Sequence, residues 1–300
     1  MKKFSFRLLT LCLSSSLLLL CSFSMYPPGP AEAKAKATQK ATWFWETPLI
    51  ENATPEILDF ASDQGVNVLY LQMNRDVRPE HYRKFIRLAG RQGIEVHVLG
   101  GAPNWALESE RHRLETFIQW TAEYQASAAP DERFAGIHVD IEPHVLGEWK
   151  TNYDAVVKQW QNNVRYLVKE AHSLNLPIAA DMTFWLHTYK LPDQSMTLSS
   201  WMIQQFDQIV IMAYRDSAQN IYNLAATELA EADKYGKEAL VAVETKSSNE
   251  GNYVTFFEEG TAFMEKELSK VTALAGGHAS FSGTAVHEYR SWKELHGLNR

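Results

Sequence analysis

The sequence predicts an α/β fold, a single (β/α)8 TIM barrel over residues 38–300. Three observations carry this. Short apolar segments alternate about eight times with segments of helical hydrophobic spacing, as parallel strands joined by crossovers require. The length left after the first 37 residues suits one barrel of roughly 250 residues. A doubly wound open sheet normally opens on a Gly-rich first turn, and WFWETPLIEN (43–52) is nothing like one.

The elements follow in order. Thr42 to Glu46 is the first strand. Thr54 then supplies an N-cap with Pro55 at the first helical position, and Gly65 ends that helix. VNVLYLQM (66–73) is the second strand, and Tyr82, Phe85, Ile86 and Ala89 form a helical stripe that stops near Gly93. IEVHVLGG (94–101) is the third strand, followed by a helix with Leu114, Phe117, Ile118, Thr121 and Tyr124 on one side. GIHVDIEPH (136–144) is the fourth, and after it Tyr153, Val156, Val157, Trp160, Val164, Leu167 and Ala171 mark the clearest helix. PIAADMTFW (177–185) and QIVIMAYRD (208–216) are strands with a short helix near 198–206 between them. A helix over 219–235 ends at Gly236, ALVAVETK (239–246) is the seventh strand, and a helix with Phe263, Met264, Leu268 and Val271 leads to GTAVHEY (283–289).

Residues 1–37 are set apart. Lys2, Lys3 and Arg7 precede an apolar run from Leu8 to Leu20, and small-residue sites follow at 31–37, the layout of a secretory signal peptide with a short linker. The apolar run is short for a membrane span, so no stable membrane anchor is expected. Both cysteines, Cys12 and Cys21, lie in this segment, so a cleaved chain would carry no thiol. Cleavage would lower Lys+Arg from 29 to 24 and Asp+Glu from 36 to 35, leaving a net charge of −11. Such a chain, without a basic block, is a poor partner for nucleic acid or anionic membranes. A secreted, monomeric protein without cofactor is the expectation.

Barrels of this kind place their chemistry at the C-terminal ends of the strands. Those ends carry Glu46, Gln72, Asp140, Glu142, Asp181, Tyr214, Asp216, Glu244 and Glu288. In the fourth strand Ile137, Val139 and Ile141 share one face, while His138, Asp140 and Glu142 share the other. Carboxylates on a buried-looking strand are costly unless paired or used. With a second acid near it, one of Asp140 and Glu142 should hold its proton near neutrality, and Glu142 lies nearer the rim. Trp43, Trp45, Trp105, Trp185, Tyr189, Tyr214 and Tyr289 crowd the same end, with Trp43 or Trp45 expected in the core. Rings that stack on sugar faces and acids that bind hydroxyls point to carbohydrate. Interior His97 and His138 read as core residues and the first strand lacks an H-x-H pair, so no metal site is expected. GGHAS (276–280) precedes a strand and reads as a turn on the opposite end.

The fourth strand resembles the D-G-x-D-x-D-x-E motif of the chitinase-like family 18 glycoside hydrolases. Gly136, Asp140 and Glu142 match, while Ala135 and His138 stand where aspartates are expected. Met212 and Tyr214 echo the family's Met-x-Tyr-Asp, with Arg215 at the acid position and Asp216 one later. This resemblance implies Glu142 as general acid, Asp140 as its partner and Tyr214 on the substrate's acetamido group. A second, weaker resemblance is to the retaining barrel glycosidases, whose acid/base and nucleophile glutamates end strands four and seven; it implies Glu142 and Glu244. Trp45, Gln72, Asp181, Trp185, Asp216 and Glu288 complete the candidate site as substrate-binding residues. A non-catalytic carbohydrate-binding barrel and a hydrolase of another cell-envelope polymer are the alternatives.

Overall fold

The computed structural model describes Met1 and residues 38–298; the proposed signal peptide and linker lie outside the described residues. Eight parallel strands close into a barrel in chain order. They are β1 Gln39–Phe44, β2 Val68–Gln72, β3 Glu95–Gly100, β4 Gly136–Val139, β5 Ile178–Thr183, β6 Gln208–Met212, β7 Glu238–Glu244 and β8 Phe281–His287. The α-helices between and after them are α1 Thr54–Asp63, α2 Pro79–Arg91, α3 Arg111–Ser127, α4 Gly147–Thr151, α5 Tyr153–Ser173, α6 Leu198–Gln205, α7 Ala218–Tyr235, α8 Thr261–Ala275 and α9 Tyr289–Gly297. Among the described residues no helix is long and apolar enough to cross a membrane.

Strand parity divides the core in two. Leu69, Leu71, Ile178, Met182, Ile209, Ile211, Val241 and Val243 point outward and pack under the helices, as their phase predicts. Ala41, Trp43, Val68, Tyr70, Leu99, Val210, Leu240, Ala242 and Ala285 fill the barrel interior. Gly236 ends α7 with φ +62°, the left-handed cap that a glycine provides without a Cβ clash.

Local details differ from expectation. Thr54 lies inside α1, with Ala53 at the N-cap, and its hydroxyl donates to the Ile50 carbonyl at 2.6 Å. The strands are shorter at their C-terminal ends, β4 above all: ladder pairing stops at Val139, and Asp140 follows with its N–H on the Gly100 carbonyl at 3.0 Å. Pro143, which has no N–H to donate, then opens a short 3-10 turn over Pro143–Val145. Gly101 lets the next loop pass close to this point, since a Cβ there would lie 2.0 Å from the Asp140 carbonyl oxygen.

Candidate active site

The site begins inside the barrel. Trp43 of β1 donates its indole N–H to Asp181 Oδ2 of β5 at 3.0 Å. His138 of β4 brings Nε2 within 3.0 Å of Asp181 Oδ1, but off the line of a good hydrogen bond. Its ring stacks on Tyr70, with centroids 3.7 Å apart. Burial pulls the His138 imidazole down to about 3, so it is neutral at physiological pH. A neutral imidazole cannot compensate a carboxylate, and Asp181, fully enclosed, is pushed up to about 8 by burial against the pull of its Trp43 hydrogen bond.

Asp140 and Glu142 sit above this layer, where β4 leaves the sheet. Burial raises Asp140 to about 7, with the Asp181 charge adding and His287 opposing. Burial likewise raises Glu142 to about 8, with the charges of Asp140 and Asp181 adding and His287 opposing. Both acids are thus held well above the ordinary carboxylate range and titrate as a pair, Glu142 raised by the charge of Asp140 as well as by burial. The side chain of Glu142 is partly exposed, and Oε2 lies 3.5 Å from His144 Nε2. It borders a small pocket lined also by His144, Asp181, Thr183, Trp185, Trp149 and Met212. Trp185 is partly exposed beside that pocket, edge-on to His144 at 4.9 Å and near Tyr189 at 5.4 Å.

The opposite side of the site comes from β6, β7 and β8. Tyr214 follows β6 on the inner face; burial, then Glu244, Asp181, Asp140 and Glu142, raise its phenol well above the ordinary value. It is therefore a hydroxyl donor under all ordinary conditions. Glu244 accepts three hydrogen bonds: Oε1 accepts from the Thr245 and Lys246 N–H groups at 2.7 and 2.8 Å, and Oε2 accepts from His287 Nδ1 at 2.8 Å. Burial alone would lower His287, but its hydrogen bond to Glu244 and that carboxylate's charge outweigh this and raise it. The His287 ring lies 5.3 Å from Trp43, 6.4 Å from Trp45 and 6.1 Å from Tyr214.

Of the sequence-predicted residues, Glu142, Asp181 and Trp185 line the pocket, Asp140, Glu142, Asp181 and Glu244 all act on the Tyr214 phenol, and Trp45 lies near His287. Gln72 ends β2 at the same rim, and its backbone carbonyl accepts from the Thr47 hydroxyl at 2.5 Å. Two candidates belong elsewhere. Glu288 is the N-cap of α9, accepting from the Arg290 and Ser291 N–H groups, so its carboxylate holds a helix end. Asp216 lies on the β6–α7 loop with its N–H on the Tyr253 carbonyl, and its charge acts on Glu259 instead of on the acid cluster. Trp105 and Tyr289 also leave the rim: they are buried against Phe117 and Phe44 in the outer core. Trp43 is the fully buried member of the first-strand pair. His287, whose charge acts on Asp140, Glu142 and Asp181, is the member of this cluster that the sequence reading did not name. Parity could have found it, because Gly283, Ala285 and His287 share the inner phase while Val286 and Glu288 take the outer one.

Removing one of these buried acids tests the electrostatics. A carboxyl whose folded pKa is raised adds stability that is complete below its unfolded pKa and is lost as pH climbs through the folded value. For Asp181 that window runs from about 4 to about 8. The wild-type melting temperature should therefore fall between pH 5 and pH 8. Asp181→Asn should reduce the fall by about 3 °C or more, at roughly 2–4 °C per kcal/mol for a domain of this size. Scanning calorimetry at the two pH values checks it, and an unchanged difference would contradict the burial account.

No protein-family model matches the sequence, and no curated protein matches it in a sequence search. Solved structures do match in three dimensions. A chitinase from Chromobacterium violaceum ATCC 12472 superposes with TM-score 0.52 and 11% identity, over 88% of this chain and 100% of that one. The C-terminal domain of a protein provisionally named a chitinase, from Desulfitobacterium hafniense DCB-2, gives 0.58 and 11%, over 88% and 97%. The Bacillus cereus spore cortex-lytic enzyme SleL gives 0.50 and 10%, over 87% and 74%. At these identities the likeness is one of fold.

Proposed function

We propose that the protein is a secreted glycoside hydrolase that cleaves amino-sugar-containing glycans, with Glu142 as general acid/base. One observation carries this reading: Glu142 lines a small pocket together with Asp181 and Trp185, burial and the charges of Asp140 and Asp181 raise its carboxyl to about 8, and Asp140 stands two residues before it just past the end of β4. The likeness in fold to a chitinase and a cortex-lytic enzyme supports it.

In the proposed reaction Glu142 gives its proton to the glycosidic oxygen as the bond from that oxygen to the anomeric carbon breaks. With both acids on one side of the bond and Glu244 held by three hydrogen bonds, no protein carboxylate attacks the opposite face. The substrate's acetamido oxygen does so, forming a cyclic oxazolinium ion. Asp140, as carboxylate, accepts from the acetamido N–H, and the Tyr214 hydroxyl donates to the acetamido oxygen. Glu142, now ionised, takes a proton from the water that opens the ring, so configuration is retained and the acid is restored. Asp181, supplied by β5 beside His138, puts an acid back into the interior where the family-18 motif keeps one on β4. That answers the departure at His138, one of the two, with Arg215, that favour a non-catalytic binding barrel.

The test is to incubate the mature protein with polymers of N-acetylated and of non-acetylated sugars and to measure new reducing ends. Cleavage confined to N-acetylated glycans is expected; cleavage of neither, or of both alike, would reject the proposal. Secretion makes a separate prediction. Exported protein should begin between Lys34 and Thr38, and N-terminal sequencing that finds an intact Met1 on it would refute export through cleavage.

A further inference from the structure

Arg215 stands where the family-18 motif has an aspartate, and the structure gives it a particular setting. Its guanidinium carbon lies 5.6 Å from the Phe184 ring centroid and 5.2 Å from that of Tyr253, so aromatic rings from the loops after β5 and β7 both flank it. Nη1 donates to the Tyr214 backbone carbonyl at 2.6 Å. Among the described residues no carboxylate lies within ion-pair distance of it. Arg290, Arg78 and Arg113 each pair with a carboxylate, Glu46 at 2.8 Å, Glu80 at 2.9 Å and Glu110 at 2.5 Å, whereas Arg111 and Arg165, like Arg215, lie over rings, but each over one ring and with an asparagine oxygen as acceptor. Arg215 therefore keeps a positive charge and four of its five N–H donors without a protein acceptor. It does so one residue after Tyr214, beside the loop that bears Trp185.

We propose that Arg215 forms a subsite for a carboxylate carried on the glycan, so that the substrate is an acidic amino-sugar polymer; this rests on the glycoside hydrolase reading above. Three physical features favour a carboxylate. A planar guanidinium matches its two oxygens with parallel hydrogen bonds. Flanking rings hold the fork in one plane and strip part of its hydration, which strengthens the pairing. An acid at this position, as in the family-18 motif, would repel the same group. The need for a local cation is also clear: without residues 1–37 the chain carries a net charge of −11, which by itself disfavours an acidic polymer.

The test compares two oligosaccharides of equal length. In the first, alternate N-acetylglucosamine units carry a 3-O-lactyl carboxylate. In the second, those carboxylates are converted to primary amides, which keeps the shape and removes the charge. Intrinsic tryptophan fluorescence gives Kd, and reducing-end release gives kcat/KM. The wild-type protein should favour the acid strand by about tenfold or more in both measures. Arg215→Gln should reduce that acid-over-amide ratio to near unity, and Arg215→Lys, a charge without the fork, should leave it in between. Circular dichroism confirms that the variants fold. Equal binding of the two strands by wild type, or a ratio unmoved in Arg215→Gln, would overturn the subsite. Binding that prefers the acid strand with no cleavage of either would uphold the subsite and reject the hydrolase reading. Cleavage of both strands without preference would do the reverse.

Discussion

Glu142→Gln should lower kcat/KM by 10²–10⁴, the range that a positioned general acid supplies, while Kd for an oligosaccharide stays within about twofold. Gln keeps the size and hydrogen-bonding reach of the side chain but has no proton to give the leaving oxygen. The proton is present in the wild type because burial raises Glu142 to about 8, with the charges of Asp140 and Asp181 adding to it. Wild-type activity should therefore fall as pH rises past about 8, when the acid ionises. Fluorescence titration and initial rates, on protein purified free of host glycosidases, check both parts. A variant within tenfold of wild type would mean that the acid lies elsewhere.

The second large effect concerns Glu244. Glu244→Ala should cost about 10–100-fold in kcat/KM, and added azide should neither restore the rate nor yield a glycosyl azide. A nucleophile needs a free carboxylate oxygen aimed at the anomeric carbon. Both oxygens of Glu244 already accept hydrogen bonds, one from the backbone N–H groups of Thr245 and Lys246 and the other from His287, which hold the carboxylate along the β7–β8 ladder. Nor is Glu244 among the charges that act on Glu142, which are Asp140, Asp181 and His287. On the mechanism proposed above, Glu244 acts by position, through the hydrogen bond and charge that raise His287. Its loss should return His287 toward a lower pKa and move the pH–rate profile, a change that mere loosening of the fold would not produce. A glycosyl azide, identified by mass spectrometry, would make Glu244 the nucleophile and overturn the acetamido mechanism.

The barrel was legible in the sequence because its signals are local. Strand phase sorts Leu69 and Leu71 from Tyr70, and helical spacing marks the stripe from Tyr82 to Ala89; both depend only on backbone geometry within one element. The same parity put His138, Asp140 and Glu142 in one phase of the segment 136–144, although ladder pairing ends at Val139 and the two acids follow β4. What no single segment carries is the partnership between strands. Glu244 carried the weaker of two resemblances, as a nucleophile, and nothing near it in sequence shows that His287, 43 residues later, lies opposite it across the β7–β8 ladder. Asp181 became the interior acid only through Trp43, 138 residues away in sequence. Glu288 looked like a rim acid, but one step of phase turns it outward, where the N-terminus of α9 takes it as a cap. The sequence by itself determined which residues face the barrel axis, because side-chain direction follows the two-residue period of each strand. Only the tertiary structure decided which of the acids there keep their protons, because desolvation and the nearest charge, which set a pKa, come from the other strands of the closed barrel.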